Sequence, residues 1–154
     1  MRGFTGRTLP ILITLLLVPM ACVLLPKLIQ IAGSSMEPSY PEGTKMTIAP
    51  IDPADLERGD LVYLELRESD RFFVKRLIGL PGETVELRSG SVFIDGVLLE
   101  EAYDVIPSPY DSDVQSLGED QYYVLGDNRP LSADSHVWGP IEGSSISGRA
   151  IPLD

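Results

Sequence analysis

The pattern of apolar and polar positions changes abruptly near residue 32. Leu9 to Leu25 is a run of 17 residues without a charge, interrupted only by Pro10, Thr14 and Pro19. That is the short end of a bilayer span, and Leu28 to Ala32 extend it if Lys27 snorkels. Downstream the apolar runs are short and punctuated. Pro41-Glu42-Gly43 reads as a turn and Lys45 to Ala49 as a strand, followed by a polar connector from Pro50 to Gly59. Leu61 to Leu66 is continuously apolar apart from Glu65, which predicts a strand covered on both faces. Asp70-Arg71 reads as a turn and Phe72 to Ile78 as the next strand. Thr84 to Arg88 and Ser91 to Ile94 alternate across Ser89-Gly90, a two-residue hairpin signal, and Asp95-Gly96 is a second one before Val97-Leu98-Leu99. Residues 100–120 lack a period and predict an exposed loop. Gln121 to Leu125 and Ser145 to Ile151 complete the strands. No stretch after the apolar run has a helical period of any length. The pattern predicts a mainly β domain, with a coiled or barrel-like antiparallel sheet, behind one N-terminal transmembrane helix.

Charge follows the same division. Residues 1–32 contain Arg2, Arg7 and Lys27 and no acid; the rest has nine basic residues against 23 acidic ones. The net −11 is therefore a +3 head on a −14 body. So acidic a body is a poor fit to nucleic acid. A cleaved signal peptide is the rival to a retained anchor, but no convincing small-x-small site follows the run before the Ser35 stretch. Pro19-Met20 is a poor lead-in to a lipid-modified Cys22. The expected organisation is a cytoplasmic tail and cell-membrane anchor over residues 1–32 and an extracytoplasmic domain over 33–154, oriented by Arg2 and Arg7. Cys22 and His136 are the sole cysteine and histidine. Neither a disulfide framework nor a metal site is expected, and no cofactor is implied.

Three stretches carry candidate chemistry. In an extended strand Phe73, Lys75 and Leu77 share a face. An ammonium between two apolar side chains is open to desolvation, which lowers its pKa and lets a neutral amine serve as a base. A lysine in a strand is more often a snorkelling surface residue. Ser35 lies in Gly33-Ser34-Ser35-Met36-Glu37-Pro38, a small-residue turn that exposes a hydroxyl, although such serines are commonly solvated linkers. Gly126 to Gly139 is dense in turn formers; Ser132 and Asp134 there either cap a loop or place the amine.

Together these stretches resemble the bacterial type I signal peptidases, membrane-anchored Ser-Lys endopeptidases. The motifs appear in order: Ser35-Met36-Glu37-Pro38, Arg58-Gly59-Asp60-Leu61-Val62, Lys75 to Glu83, and Gly126 to Ser135 followed by Trp138-Gly139. The resemblance implies Ser35 as nucleophile, Lys75 as general base, Ser132 as the residue orienting the lysine, and Asp134 as support. Some members carry a serine oxyanion donor where Gly33 stands, and often an arginine where His136 stands. The implied substrates are preprotein signal peptides with small residues at the first and third positions before the cut. Met36, Ile48 and Leu77 are the candidate walls of two shallow pockets. An inactive membrane-tethered binding domain and a self-cleaving Ser-Lys repressor domain are the alternatives. Keeping both Ser35 and Lys75 disfavours the first, and an apolar run in place of a DNA-binding module disfavours the second.

Overall fold

The structure, a computed structural model, describes residues 26–66, 71–107 and 109–153. The apolar run from Leu9 to Leu25, which includes Cys22, lies outside them with Arg2 and Arg7, as does Asp70 of the turn read at Asp70-Arg71. Among the described residues no helix is long and apolar enough to cross a membrane.

Among the described residues there are eleven strands and one short α-helix, besides three 3-10 turns: β1 (Lys27–Gln30), β2 (Lys45–Ala49), β3 (Leu61–Leu66), β4 (Arg71–Gly79), β5 (Thr84–Arg88), β6 (Ser91–Ile94), β7 (Val97–Leu98), β8 (Gln115–Ser116), β9 (Gln121–Leu125), α1 (Ser135–Trp138), β10 (Ile141–Glu142) and β11 (Ile146–Pro152). They form a seven-stranded sheet in the order β1-β2-β11-β3-β4-β9-β10 and a four-stranded sheet in the order β7-β6-β5-β8. Each strand pairing is antiparallel. Both hairpin turns have positive φ at their two central residues, +50° and +82° at Ser89-Gly90 and +50° and +77° at Asp95-Gly96. That backbone matches the twist of the flanking strands.

The two-faced burial of β3 has a direct cause. Val62 and Leu64 enter a core with Leu77, Tyr122, Val124 and Ile146. Leu61 and Tyr63 point the other way, into a core with Ile31, Met36, Met46 and Ile48. A third core, around Ile78, Val85, Leu87, Tyr123 and Leu125, fills the space between the sheets. Alternation along β3, β4 and β9 thus feeds three cores.

Three expectations need correction. Lys27–Gln30 does not extend a membrane span but pairs with β2, Lys27 opposite Ile48 and Gln30 opposite Lys45. A short apolar run does not distinguish strand from helix by period. The sheet does not close into a barrel; β1 and β10 are its edges. It is nonetheless strongly coiled. In a flat sheet β1 and β4, four places apart, would be separated by roughly 19 Å. Here Lys27 of β1 reaches Phe72 of β4, its Nζ 4.5 Å from the ring centroid. Finally, residues 100–120 are not a free loop. Gln115–Ser116 pairs with β5, Leu117 is buried, and Ile106 bridges Asn128.

Candidate active site

Lys75 sits at a change in the pairing of β4. Residues 71–76 pair with β3, but β9 joins the other side only from Arg76 onward. The edge of β4 leading up to Lys75 therefore has no strand partner among the described residues. Lys75 itself is 2% exposed. Its Nζ donates to Ser132 Oγ at 2.9 Å and lies 5.9 Å from the Phe73 ring centroid. Burial lowers its pKa to about 8, against the opposing pull of the Asp134 and Asp127 charges. Desolvation outweighs two carboxylates, as expected for an amine removed from water.

The Gly126–Ser135 turn holds the site together. Asp134 is fully buried; it accepts from Gly126 N at 2.9 Å and lies 2.7 Å from His136 Nδ1. Ser135 Oγ accepts from Val124 N at 3.0 Å, anchoring the turn to β9. On the opposite side, Asn128 donates from its backbone N to Ser35 O at 3.0 Å and from Nδ2 to Ser34 O at 3.1 Å. The turn thus grips the lysine through Ser132 and the Ser34-Ser35 segment through Asn128.

Gly126 is where these parts converge. A Cβ placed there would lie 2.3 Å from Ser132 Oγ and 2.4 Å from Ser35 O. No side chain fits without driving the two apart. Gly126→Ala is expected to destabilise by about 1–3 kcal/mol or more, as overpacked sites do, and to depress any activity beyond that loss. Thermal melting and a rate measured well below the melting point separate the two effects.

Ser35 is half-buried and borders a cleft of about 230 Å³. Its walls are residues 29–32 with Met36 on one side, and Tyr63 with residues 72–74 on the other. Among the described residues the Ser35 hydroxyl makes no hydrogen bond, so it is not bonded to Lys75, and the Ser35 N–H is undonated. Catalytic hydrogen bonds are often loose in unliganded sites. Gly33 is at φ +81°, and a Cβ added there would meet no atom within 4 Å. Gly33→Ser meets no clash but forces a side chain into left-handed backbone, costing roughly 1–2 kcal/mol. A drop in melting temperature of a few degrees checks this.

Of the three proposed pocket residues, only Met36 lines this cleft. Leu77 is fully buried in the first core, because β9 covers β4 from Arg76 onward and places Val124 opposite it. Ile48 is 5% exposed and borders a separate hollow with Lys27 and Ser147. Several site residues escaped notice in the sequence. Arg76 donates to both Asp127 oxygens at 2.8 and 2.5 Å and lies 3.7 Å from the Tyr103 ring centroid. Arg129, 1% exposed, pairs with Glu101. The Arg58-Gly59-Asp60 box is tied to the surrounding strands by ion pairs: Arg58 pairs with Glu83, and Asp60 with Arg149 at 2.7 Å.

The model of the signal peptidase family, peptidase S26, matches residues 5–153. The probable signal peptidase I-2 of Synechocystis is 38% identical over 128 residues, covering 78% of this chain and 59% of that protein. The signal peptidase I of Leptolyngbya laminosa is 41% identical over 102 residues, 61% of this chain and 50% of that one. The signal peptidase I P of Bacillus subtilis subsp. natto is 34% identical over 137 residues, 81% and 74%. The chain thus spans about half to three fifths of the length of the first two proteins. A signal peptidase I crystal structure from Enterococcus faecalis superposes with a TM-score of 0.54 at 32% identity, covering 62% of this chain and 96% of that one.

Proposed function

This chain belongs to the peptidase S26 family of signal peptidases, and on that premise we propose that it cuts signal peptides from exported preproteins by Ser-Lys chemistry. The observation that carries the reading is the buried amine of Lys75, its pKa lowered to about 8 and one of its hydrogens held by Ser132. With one N–H committed to Ser132, the lone pair of the neutral amine is left to accept a proton from Ser35. Ser35 Oγ attacks the scissile carbonyl while Lys75 takes its proton. The Ser35 N–H serves the developing oxyanion. Lys75 then protonates the leaving amine and, once neutral again, activates the water that resolves the acyl-enzyme. Asp134 supports the turn that carries Ser132.

The substrate arrives as an extended strand. The unpaired edge of β4 before Lys75 suits strand addition, in which backbone hydrogen bonds supply affinity and pockets supply selectivity. A cleft of about 230 Å³ lined by Met36 and Ile31 favours small side chains at the first and third positions before the cut. The apolar run from Leu9 to Leu25 would anchor the protein in the cell membrane as a single span, with Arg2 and Arg7 on the cytoplasmic side and the acidic body outside.

One assay tests the reading. Detergent-solubilised protein is incubated with a preprotein and the new N-terminus is sequenced. A single cut after a small-x-small sequence is expected. An intact preprotein, or cleavage elsewhere, overturns it.

A further inference from the structure

One end of the cleft is built from groups that the cleavage chemistry does not use. Both walls run in the same direction. One passes through residues 29–32 to Ser35, preceded in β1 by Lys27 of the neighbouring hollow; the other passes from Phe72 to Val74, just before Lys75. Ser35 therefore marks the end nearest Lys75, and Phe72 the end nearest Lys27. At that far end the Tyr63 and Phe72 rings stack, centroids 5.1 Å apart and 4° from parallel. Lys27 Nζ crosses from the opposite wall, donates to Tyr63 Oη at 2.9 Å, and lies 4.5 Å from each ring centroid. Tyr63 is 6% exposed and fixed by the core, whereas Phe72 is 47% exposed and is held chiefly by the stack and the cation. A cation shared by two rings and a hydroxyl is an attractive contact even at a partly exposed site.

Resting on the peptidase reading above, we infer that Lys27 is a strut across the cleft, and that its hold on the Tyr63–Phe72 pair limits the size of the substrate side chain accepted away from Ser35. An extended peptide with its first residue before the cut at Ser35 places its third about 7 Å further along, with its side chain on the same face. That third side chain runs toward the aromatic end. Were Lys27 absent, Phe72 would be free to rotate outward into solvent and the end of the cleft would widen.

The test uses peptides with alanine before the cut and alanine, leucine or phenylalanine at the third position. The wild type is expected to favour alanine over leucine by about tenfold in kcat/KM, the scale of apolar size discrimination. Lys27→Met, which keeps the stem and loses the charge, and Phe72→Ala, which removes the ring, should each narrow that ratio about threefold or more. Tyr63→Phe, lacking only the hydroxyl, should narrow it less. Melting curves establish that each variant is folded. The same peptides are titrated against the Ser35→Ala protein with and without Lys27→Met, so that selectivity is read as a ratio of Kd without turnover. A ratio unchanged in Lys27→Met, whatever Phe72→Ala does, or a wild type indifferent to the third residue, overturns the inference. Absent cleavage with a Kd ratio that Lys27→Met narrows would sink the peptidase reading and sustain the strut. Peptides neither cut nor bound would sink both.

Discussion

Lys75→Met is expected to abolish cleavage and yet make the protein more stable at neutral pH. Loss of the base should cost on the order of 10⁴ in rate, the scale seen when one member of a catalytic unit is removed. The gain in stability follows from linkage. The folded pKa is lowered from 10.5 to about 8, so between those values the unfolded chain binds more protons than the folded one. Stability therefore rises with pH through that window, and below about pH 8 the folded protein carries a penalty of about 3 kcal/mol. Methionine fills a similar volume without a charge and removes that penalty. The lost hydrogen bond to Ser132 returns about 1 kcal/mol of it. Melting at pH 7 should accordingly rise by several degrees, and the difference from wild type should shrink as pH approaches 10. Lys75→Arg should be equally inactive, since a guanidinium stays protonated, without the gain in stability. In the wild type kcat/KM should rise with pH and level off above about 8. Phe73→Ser, which wets the amine, should move that limb to higher pH. A Lys75→Met protein that melts earlier than wild type at pH 7, or a limb unmoved in Phe73→Ser, would show that desolvation does not tune this lysine.

The second large effect is at the proposed nucleophile. Ser35→Ala should leave melting within a degree or so of wild type, because its hydroxyl bonds nothing among the described residues. Cleavage should fall by roughly 10⁴ or more. Ser34→Ala is the control one residue away. The contact that Ser34 makes to Asn128 runs through its backbone carbonyl, which alanine keeps. Most activity should survive there. Measured side by side on one preprotein, the reverse ranking would place the nucleophile at Ser34.

Much of the fold was legible because strand periodicity and turn chemistry are local. Lys45–Ala49, Thr84–Arg88, Ser91–Ile94 and Gln121–Leu125 are strands over the residues read as strands, the middle two from their alternation, and the two hairpins turn at Ser89-Gly90 and Asp95-Gly96. The face shared by Phe73, Lys75 and Leu77 was equally readable. Depth along that face was not. Leu77 lies beyond the point where β9 joins β4, and no property of residues 73–77 reveals where a partner some 50 positions later begins to pair. Tyr103 and Glu101 escaped for the same reason: their partners Arg76 and Arg129 are distant in sequence, and the segment has no period. A tyrosine within an acidic, irregular stretch was the one hint. Gly126 was visible only as a turn former; its need to lack a side chain appears once Ser35 and Ser132 meet over it.

The double grip of the Gly126–Ser135 turn has a temporal consequence. Synthesis proceeds from the N-terminus, so Ser35 and Lys75 both exist well before the residues that align them. On the proposed reading, a nascent chain ending short of residue 126 would have its nucleophile and its amine but neither Asn128 to hold the Ser34-Ser35 segment nor Ser132 to bond the amine. Competence arrives with the last fifth of the chain. A peptidase assembled this way would be inert while it is itself being made, when its own apolar N-terminal run has already been synthesised.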